Sequence, residues 1–261
     1  MIRYLRIHGL FAKLYLKSLA TYKGDFIVGI LGVLLNQFLT LFFLKILFSK
    51  IPNLNGWSFD QVVFIYAYSL VPKGLDHLFF DNLWAVGLRT IKNGDFDKYL
   101  LRPLNSLFQV SVETVQLDAL GELMVSIILL FAGANNISWS LANIFIFVIT
   151  IPFTTLIFTS IKIIAASLAF WTKQSGAAMY VLYMFNDFSK YPISIFNYPI
   201  KIVISFIVPF AFTSYYPMYY IIYNKDIVFN IIGLFVISLL LFKVSLIVWK
   251  FGQRKYESAG T

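Results

Sequence analysis

Cysteine is absent from the chain, and histidine occurs only as His8 and His77. The first absence excludes disulfides, thiolate metal sites and a cysteine nucleophile. No Gly-Lys dipeptide occurs, so the chain has no P-loop and cannot hold ATP by that device. A Gly-x-Ser-x-Gly elbow is missing too, and His77 has no evident serine partner, which leaves an intramembrane hydrolase or acyl transferase without a nucleophile and base. Charge is equally scarce: 13% of residues are Asp, Glu, Lys or Arg, where a soluble domain carries about a quarter. A soluble globule is therefore excluded. What fills the 261 residues is apolar, with 59% hydrophobic side chains and a mean hydropathy of +0.79. The expected class is an all-α membrane protein forming one transmembrane domain over 1–261, because only segments that satisfy their own backbone groups can cross a bilayer.

Apolar runs of spanning length cover Phe26 to Phe48, Phe59 to Phe80, Phe108 to Ala132, Leu141 to Trp171 and Ile227 to Trp249. The first is too long for a signal-peptide core and lacks a small-x-small cleavage site, so it is expected to stay as an anchor. The stretch 176–226 is different. It holds Pro192, Pro199, Pro209 and Pro217, and prolines at that density break helices, so one of its two apolar pieces is expected to cross and the other to dip back from the outer face.

The net charge of +9 bears on orientation and not on nucleic acid, because cytoplasmic loops of membrane proteins collect Lys and Arg. Arg3, Arg6, Lys13, Lys17 and Lys23 precede the first span. Arg89, Lys92, Lys98 and Arg102 lie in the 81–107 loop, and Lys250, Arg254 and Lys255 follow the last span. These regions share one side only if the chain crosses six times, with both termini in the cytoplasm. Trp57 and Trp139 then fall at outer boundaries and Trp84, Trp171 and Trp249 at inner ones, as interfacial tryptophans should.

Two segments stand out on the cytoplasmic side. Over residues 1–22, Arg3, Arg6, Lys13 and Lys17 fall within an arc of about 80° at helical spacing, opposite Phe11, Tyr15 and Leu19. This is an interfacial amphipathic helix on membrane lipid, or a docking element as well. The 81–107 loop reads as two short helices. Asp81 or Asn82 caps the first, whose apolar face is Trp84, Leu88 and Ile91, and Asn93-Gly94 supplies a left-handed stop. Asp95 caps the second, which ends by Leu101 because Pro103 disfavours helix at Arg102. Such a loop suits transmission of force to a soluble partner.

The run GDFDKYLLRPLNSLFQV from Gly94 to Val110, with GWSFDQVVFIY from Gly56 to Tyr66, resembles the membrane subunits of type-two ABC exporters. The likeness is nearest to a bacterial branch with a Gly-Asp-x-Asp-x-x-Leu-x-Arg-Pro loop, and it extends to Tyr191-Pro192-Ile193 and Tyr216-Pro217. The resemblance implies an interfacial helix, six spans, a coupling helix and re-entrant helices before the last span. It also implies ATP-driven export across the bacterial plasma membrane, with a coupling role for Arg89, Ile91, Lys92, Gly94, Asp95, Phe96, Asp97 and Arg102 as a segment. The chain itself would bind no cofactor. ATP and magnesium would sit on a separate ABC ATPase subunit, and a second copy or a related permease would complete the path.

Ionisable residues inside spans are costly and suggest function. In the third span Ser111, Asp118 and Glu122 share one face, and Gln109, Glu113 and Gln116 another. Lys162 lies nine residues before Trp171 and Asp118 ten residues past Phe108, so an Asp118–Lys162 or Glu122–Lys162 pair is expected between antiparallel neighbours. The same residues could instead line the substrate path or serve an ion-coupled secondary transporter through Asp118 and Glu122. Lys73 and Lys243 are expected to snorkel. Asp76, His77 and Asp81 do not share a helical face, and no metal site is expected there.

Overall fold

The computed structural model describes residues 23–134 and 137–258. The surface helix expected over 1–22 lies outside the described residues. Helix α1 runs Lys23–Lys50 and α2 Phe59–Phe80. The 81–107 loop carries α3 (Leu83–Ala85), which widens into a π turn over Val86–Thr90, and α4 (Asp97–Leu100). Then come α5 (Ser106–Val112), α6 (Ala119–Gly133), α7 (Leu141–Ser167), α8 (Ala169–Thr172) and α9 (Gly176–Met184). Helices α10 (Tyr198–Ile202), α11 (Tyr215–Tyr223) and α12 (Gly233–Arg254) complete the chain. Three helical stretches, Ile27–Lys50, Leu141–Thr172 and Val228–Arg254, are long and apolar enough to cross a membrane.

Local chemistry sets the helix starts. Ser58 and Gln61 form a capping box on α2, in which the Gln61 amide N–H donates to the Ser58 hydroxyl and the Ser58 N–H to Gln61 Oε1. Ser140 caps α7, Asn105 caps α5 and Asn197 caps α10, each accepting from an N–H three residues on. At about 1.5 Å per residue the 22 residues of α2 span about 33 Å, close to the hydrocarbon thickness of a bilayer. This helix is the hub. Residues 62–70 are all buried, with α6 and α7 packed along it and α12 along the far side of α7.

The five tryptophans mark two ends. At one, Trp57 meets Tyr215, Tyr219 and Tyr223 edge-on or tilted at 5.3–6.1 Å, and Trp139 meets Phe64 and Phe147. At the other, Trp84 packs on Tyr183, Trp171 on Phe251, and Trp249 on Phe96 and Phe170.

The proline-rich stretch divides cleanly. Gly176 starts against Leu88 at the Trp249 end, and the chain continues through a 3-10 turn over Phe185–Lys190. It reaches Ser194, whose carbonyl and hydroxyl accept from Asn55 and Trp57 at the opposite end. Residues 198–223 form a hairpin that leaves from and returns to the Trp57 end, its tip Phe210 packing on Phe158 at 4.9 Å.

The third apolar run is not one helix. Residues Glu113 to Asp118 leave helical geometry between α5 and α6, and the Gln116 N–H donates to Leu78 O across to α2. The polar residues Gln109, Ser111, Glu113, Thr114, Gln116 and Asp118 crowd this stretch. Gln109 and Ser111 stay in α5 while Asp118 and Glu122 follow the break, so the expected helical faces shared across it do not exist.

Candidate functional site

The lower half of α2 carries Lys73, Asp76 and His77, with Asp81 at its C-cap, and each is answered from a neighbouring element. Lys162 of α7 lies 2.6 Å from Asp76 Oδ2 and 3.0 Å from Asp81 Oδ1, and Thr159 donates to Asp76 Oδ1 at 2.9 Å. Lys73 does not snorkel; its Nζ meets Glu122 Oε1 at 2.7 Å. His77 sits 3.7 Å from Asp118 and 3.9 Å from Glu122. The expected pairing of Lys162 with Asp118 or Glu122 is thus corrected: Lys162 belongs to Asp76 and Asp81, and Glu122 to Lys73. The reason is the break before α6, which puts Asp118 at the helix start and not two turns inside it. Asp76 points to α7 while His77 points to α6, so they do not converge, and no cluster among the described residues has a metal-binding set. Lys243 is exposed on α12.

Below this network the 81–107 loop is bound to the helices at several points. Asn82, which caps nothing, donates instead to Val110 O at 2.8 Å and Glu113 Oε2 at 3.4 Å. Glu113 also accepts from Lys98 at 2.7 Å and from the Tyr99 hydroxyl. Phe96 is fully buried among Tyr99, Phe170, Trp249 and Tyr256, with ring centroids 5.0–5.9 Å apart. The chain beyond α12 folds back on the loop: Tyr256 donates to Gly94 O at 3.3 Å and Ser258 to Asp97 Oδ2 at 2.6 Å. Burial, then the Asp97 carboxylate, pushes the Tyr256 phenol up to about 12.

Two glycines make this contact possible. A Cβ on Gly87 would lie 2.2 Å from Met179 Sδ, and one on Gly176 2.3 Å from Leu88 Cδ2. The π turn and the start of α9 therefore cross almost backbone to backbone, joined by the Ser175 N–H donating to Gly87 O at 2.8 Å. Gly94 has φ +77°, the left-handed stop expected of Asn93-Gly94.

Of the expected coupling residues, Arg89, Lys92, Asp95 and Arg102 are exposed, and Gly94 and Asp97 are half-buried. Ile91 and Phe96 are fully buried. They anchor the loop and cannot touch a partner. The apolar face also differs from the expected Trp84, Leu88 and Ile91: Leu83, Val86 and Ile91 turn inward, and Leu88 is exposed, because the π turn rotates the side chains off the 3.6-residue period. The second helix starts at Asp97, not after a cap at Asp95.

A family model described as ABC-2 family transporter protein matches residues 34–260. The chain belongs to that family. An ABC-2 protein of this kind is a multi-pass membrane permease of an ABC transporter, and membership implies association with an ABC ATPase and dimerisation. No curated protein and no solved structure matches the chain.

What the sequence missed in this ABC-2 permease is the role of Asp76 and Asp81, and the aromatic box around Phe96. A signal for the first was present. Lys73, Asp76 and His77 at i, i+3 and i+4 place three ionisable groups along one stretch of a spanning helix, which calls for partners on more than one side. The box draws on residues 96, 170, 249 and 256, and no local spacing connects them.

Proposed function

We propose that the chain is one half of an ATP-driven exporter in the plasma membrane, crossing six times with both termini cytoplasmic. The crossings are α1, α2, α6, α7, the 176–194 segment and α12, with 198–223 re-entrant from the outer face. A second copy or a related permease supplies the other half. Separate ABC ATPase subunits, holding ATP and magnesium, dock on the 81–107 loop.

The observation that carries this reading is how the loop is held. Its buried residues, Ile91, Phe96 and Tyr99, lock it to α8, α12 and the tail, while Arg89, Lys92, Leu101 and Arg102 remain on its outer surface. A push on that surface is therefore delivered to α2 through Asn82 and Glu113, to α9 through Gly87, and to α12 through Phe96. A loop that merely joined two helices would not need these attachments.

The test is recovery of the ATPase. Purification of the tagged permease from its native membrane should bring down an ABC ATPase, and Arg89→Glu with Lys92→Glu and Arg102→Glu should cut that yield while membrane insertion stays normal. Unchanged recovery would place the ATPase contact elsewhere. Reporters fused after Ala259 and at Arg89 should read cytoplasmic, and a tag at Asn135 should be reachable from outside; an external tail would overturn the six-crossing topology.

A further inference from the structure

Helix α1 is exposed along most of its length, and nearly all of that surface is apolar. One stripe is not. Asn36 and Thr40 lie one turn apart in the middle of the helix and open into a cleft of about 320 Å³, shared with Leu39, Phe43, Asp187, Lys190 and Tyr191. The opposite wall belongs to the 3-10 turn of the 176–194 segment, which lies between the Trp249 and Trp57 ends.

Two features make this cleft unsuited to lipid. The Asn36 side chain is exposed and has no hydrogen-bond partner among the described residues. The Asp187 carboxylate pairs with Lys190 at 2.7 Å, yet it is 65% exposed where Lys190 is 17% exposed. Both stand at the level of the central turns of α1, where hydrocarbon offers no donor or acceptor and a bare carboxylate is among the costliest groups. The ion pairs between α2 and its neighbours α6 and α7 are covered by comparison: Lys162 and Asp76 are 0–1% exposed, and Glu122 is 4% exposed.

We propose that this cleft is a wall of the aqueous transport path, and that it takes substrates presenting hydrogen-bond donors, an ammonium or hydroxyl group, to Asp187. This rests on the permease reading and adds a location and a substrate class to it. The donor preference follows from the unequal exposure of the pair. The carboxylate retains free acceptor positions facing the cleft, while the ammonium is largely covered and already engaged. Asn36, Thr40 and Tyr191 add hydroxyl and amide groups that suit a polar ligand passing with part of its water shell.

The lack of native cysteine makes the test direct. Asn36→Cys and Thr40→Cys, each as the only thiol in the full chain in its native membrane, should react with membrane-impermeant methanethiosulfonate reagents. Val148→Cys and Leu240→Cys, exposed apolar sites on α7 and α12, should not. Silence at positions 36 and 40, with labelling restored by denaturation, would overturn the aqueous wall. So would disulfide formation between two copies at Asn36→Cys without labelling, since that marks a dry contact. Labelling at all four positions would overturn the membrane placement itself, and the permease topology with it.

The substrate class has its own readout. In the Thr40→Cys background, the rate ratio of the cationic trimethylammonium reagent to the anionic sulfonate reagent should fall at least about fivefold with Asp187→Asn, the scale of one unit charge at about 4 Å in water. It should rise with Lys190→Gln. A ratio indifferent to both changes would remove Asp187 from the path.

Discussion

Helices α1 and α2 are built from similar material and put to opposite use. Both are of spanning length, yet α2 is enclosed from residue 62 to residue 70, and its ionisable groups further down meet partners on α6 and α7. Helix α1 buries Gln37 and Leu44 and leaves Leu31, Leu35, Phe38, Leu39 and Phe42 outside. Apolarity alone therefore does not say which helix is central. In a bilayer the lipid tails are as apolar as leucine, so a hydrophobic surface has no preference for the interior. Polar groups do, and their placement distinguishes the two helices: the ionisable groups of α2 are paired within the protein, whereas on α1 Gln37 is buried against Tyr66 and Asn36 stays open.

The contrast breaks most visibly at Lys162. Lys162→Ala would leave Asp76 and Asp81 facing each other without a cation, and removing one partner of a buried ion pair costs about 3–5 kcal/mol. Thermal unfolding of the purified protein should show a large loss, and adding Asp76→Asn should restore part of it, because the two sites act on one interaction. Asn36→Ala on α1, which removes a side chain with no hydrogen-bond partner among the described residues, should leave the melt unchanged. Equal behaviour of the two variants would end the distinction between sealed and open polar groups.

Next in size are the glycines of the loop. Gly87→Val drives a methyl into Met179 and Ser175, and overpacking of this kind costs about 1–3 kcal/mol. Gly94→Val asks a β-branched residue to hold φ +77°, at a cost of about 1–2 kcal/mol. Both variants should insert normally and lose substrate-stimulated ATP hydrolysis in the assembled transporter. Full stimulation in Gly87→Val would show that the loop and α9 need not move together.

The loop motif was legible in sequence and its meaning only half so. Gly94 supplies the left-handed turn and Pro103 ends α4, as local rules require. Asp97, Lys98 and Tyr99 serve contacts to Ser258 and Glu113, which come from across the fold. The boundaries of α2 and α7 follow from capping by Ser58 and Ser140, both local. The break in the third run was visible as a cluster of polar residues, but hydropathy averaging concealed it. Once that run is taken as continuous, Asp118 is placed too deep and every depth-matched pairing shifts with it. Chain spacing does not encode which helices are neighbours either, and the ion network depends on that as well as on depth.

A smaller effect belongs to the tail. Tyr256→Phe keeps the ring against Phe96 and Phe170 and removes the hydrogen bond to Gly94 O, worth about 0.5–1.5 kcal/mol. Its pH dependence has a definite sign. The folded-state phenol is raised above its ordinary value of 10, to about 12. Its contribution is therefore complete below pH 10 and is lost as pH rises through 12. The gap between native protein and Tyr256→Phe should be full below that interval and close progressively across it. Protease cleavage after Lys255, followed against pH in both proteins, reads this directly; a gap that closes below pH 10 would mean the phenol is not held neutral by the fold.

The smallest effect completes the comparison between the two helices. Leu35 on α1 is 59% exposed and Leu70 on α2 is 1% exposed. Leu35→Ala exchanges one lipid-facing apolar surface for a smaller one, and a surface change of this kind stays within about 0.5 kcal/mol. Leu70→Ala leaves a void that neighbouring side chains fill only in part. In water such a change costs about 2–5 kcal/mol, transfer and cavity together. In the bilayer the transfer part largely disappears, because the unfolded reference is also in hydrocarbon, and the cavity part remains. The expected order is thus preserved with a narrower gap than in a soluble protein. If Leu35→Ala instead destabilises the detergent-purified assembly as much as Leu70→Ala does, α1 is packed against another chain along Leu35, and the face assigned to lipid is an interface.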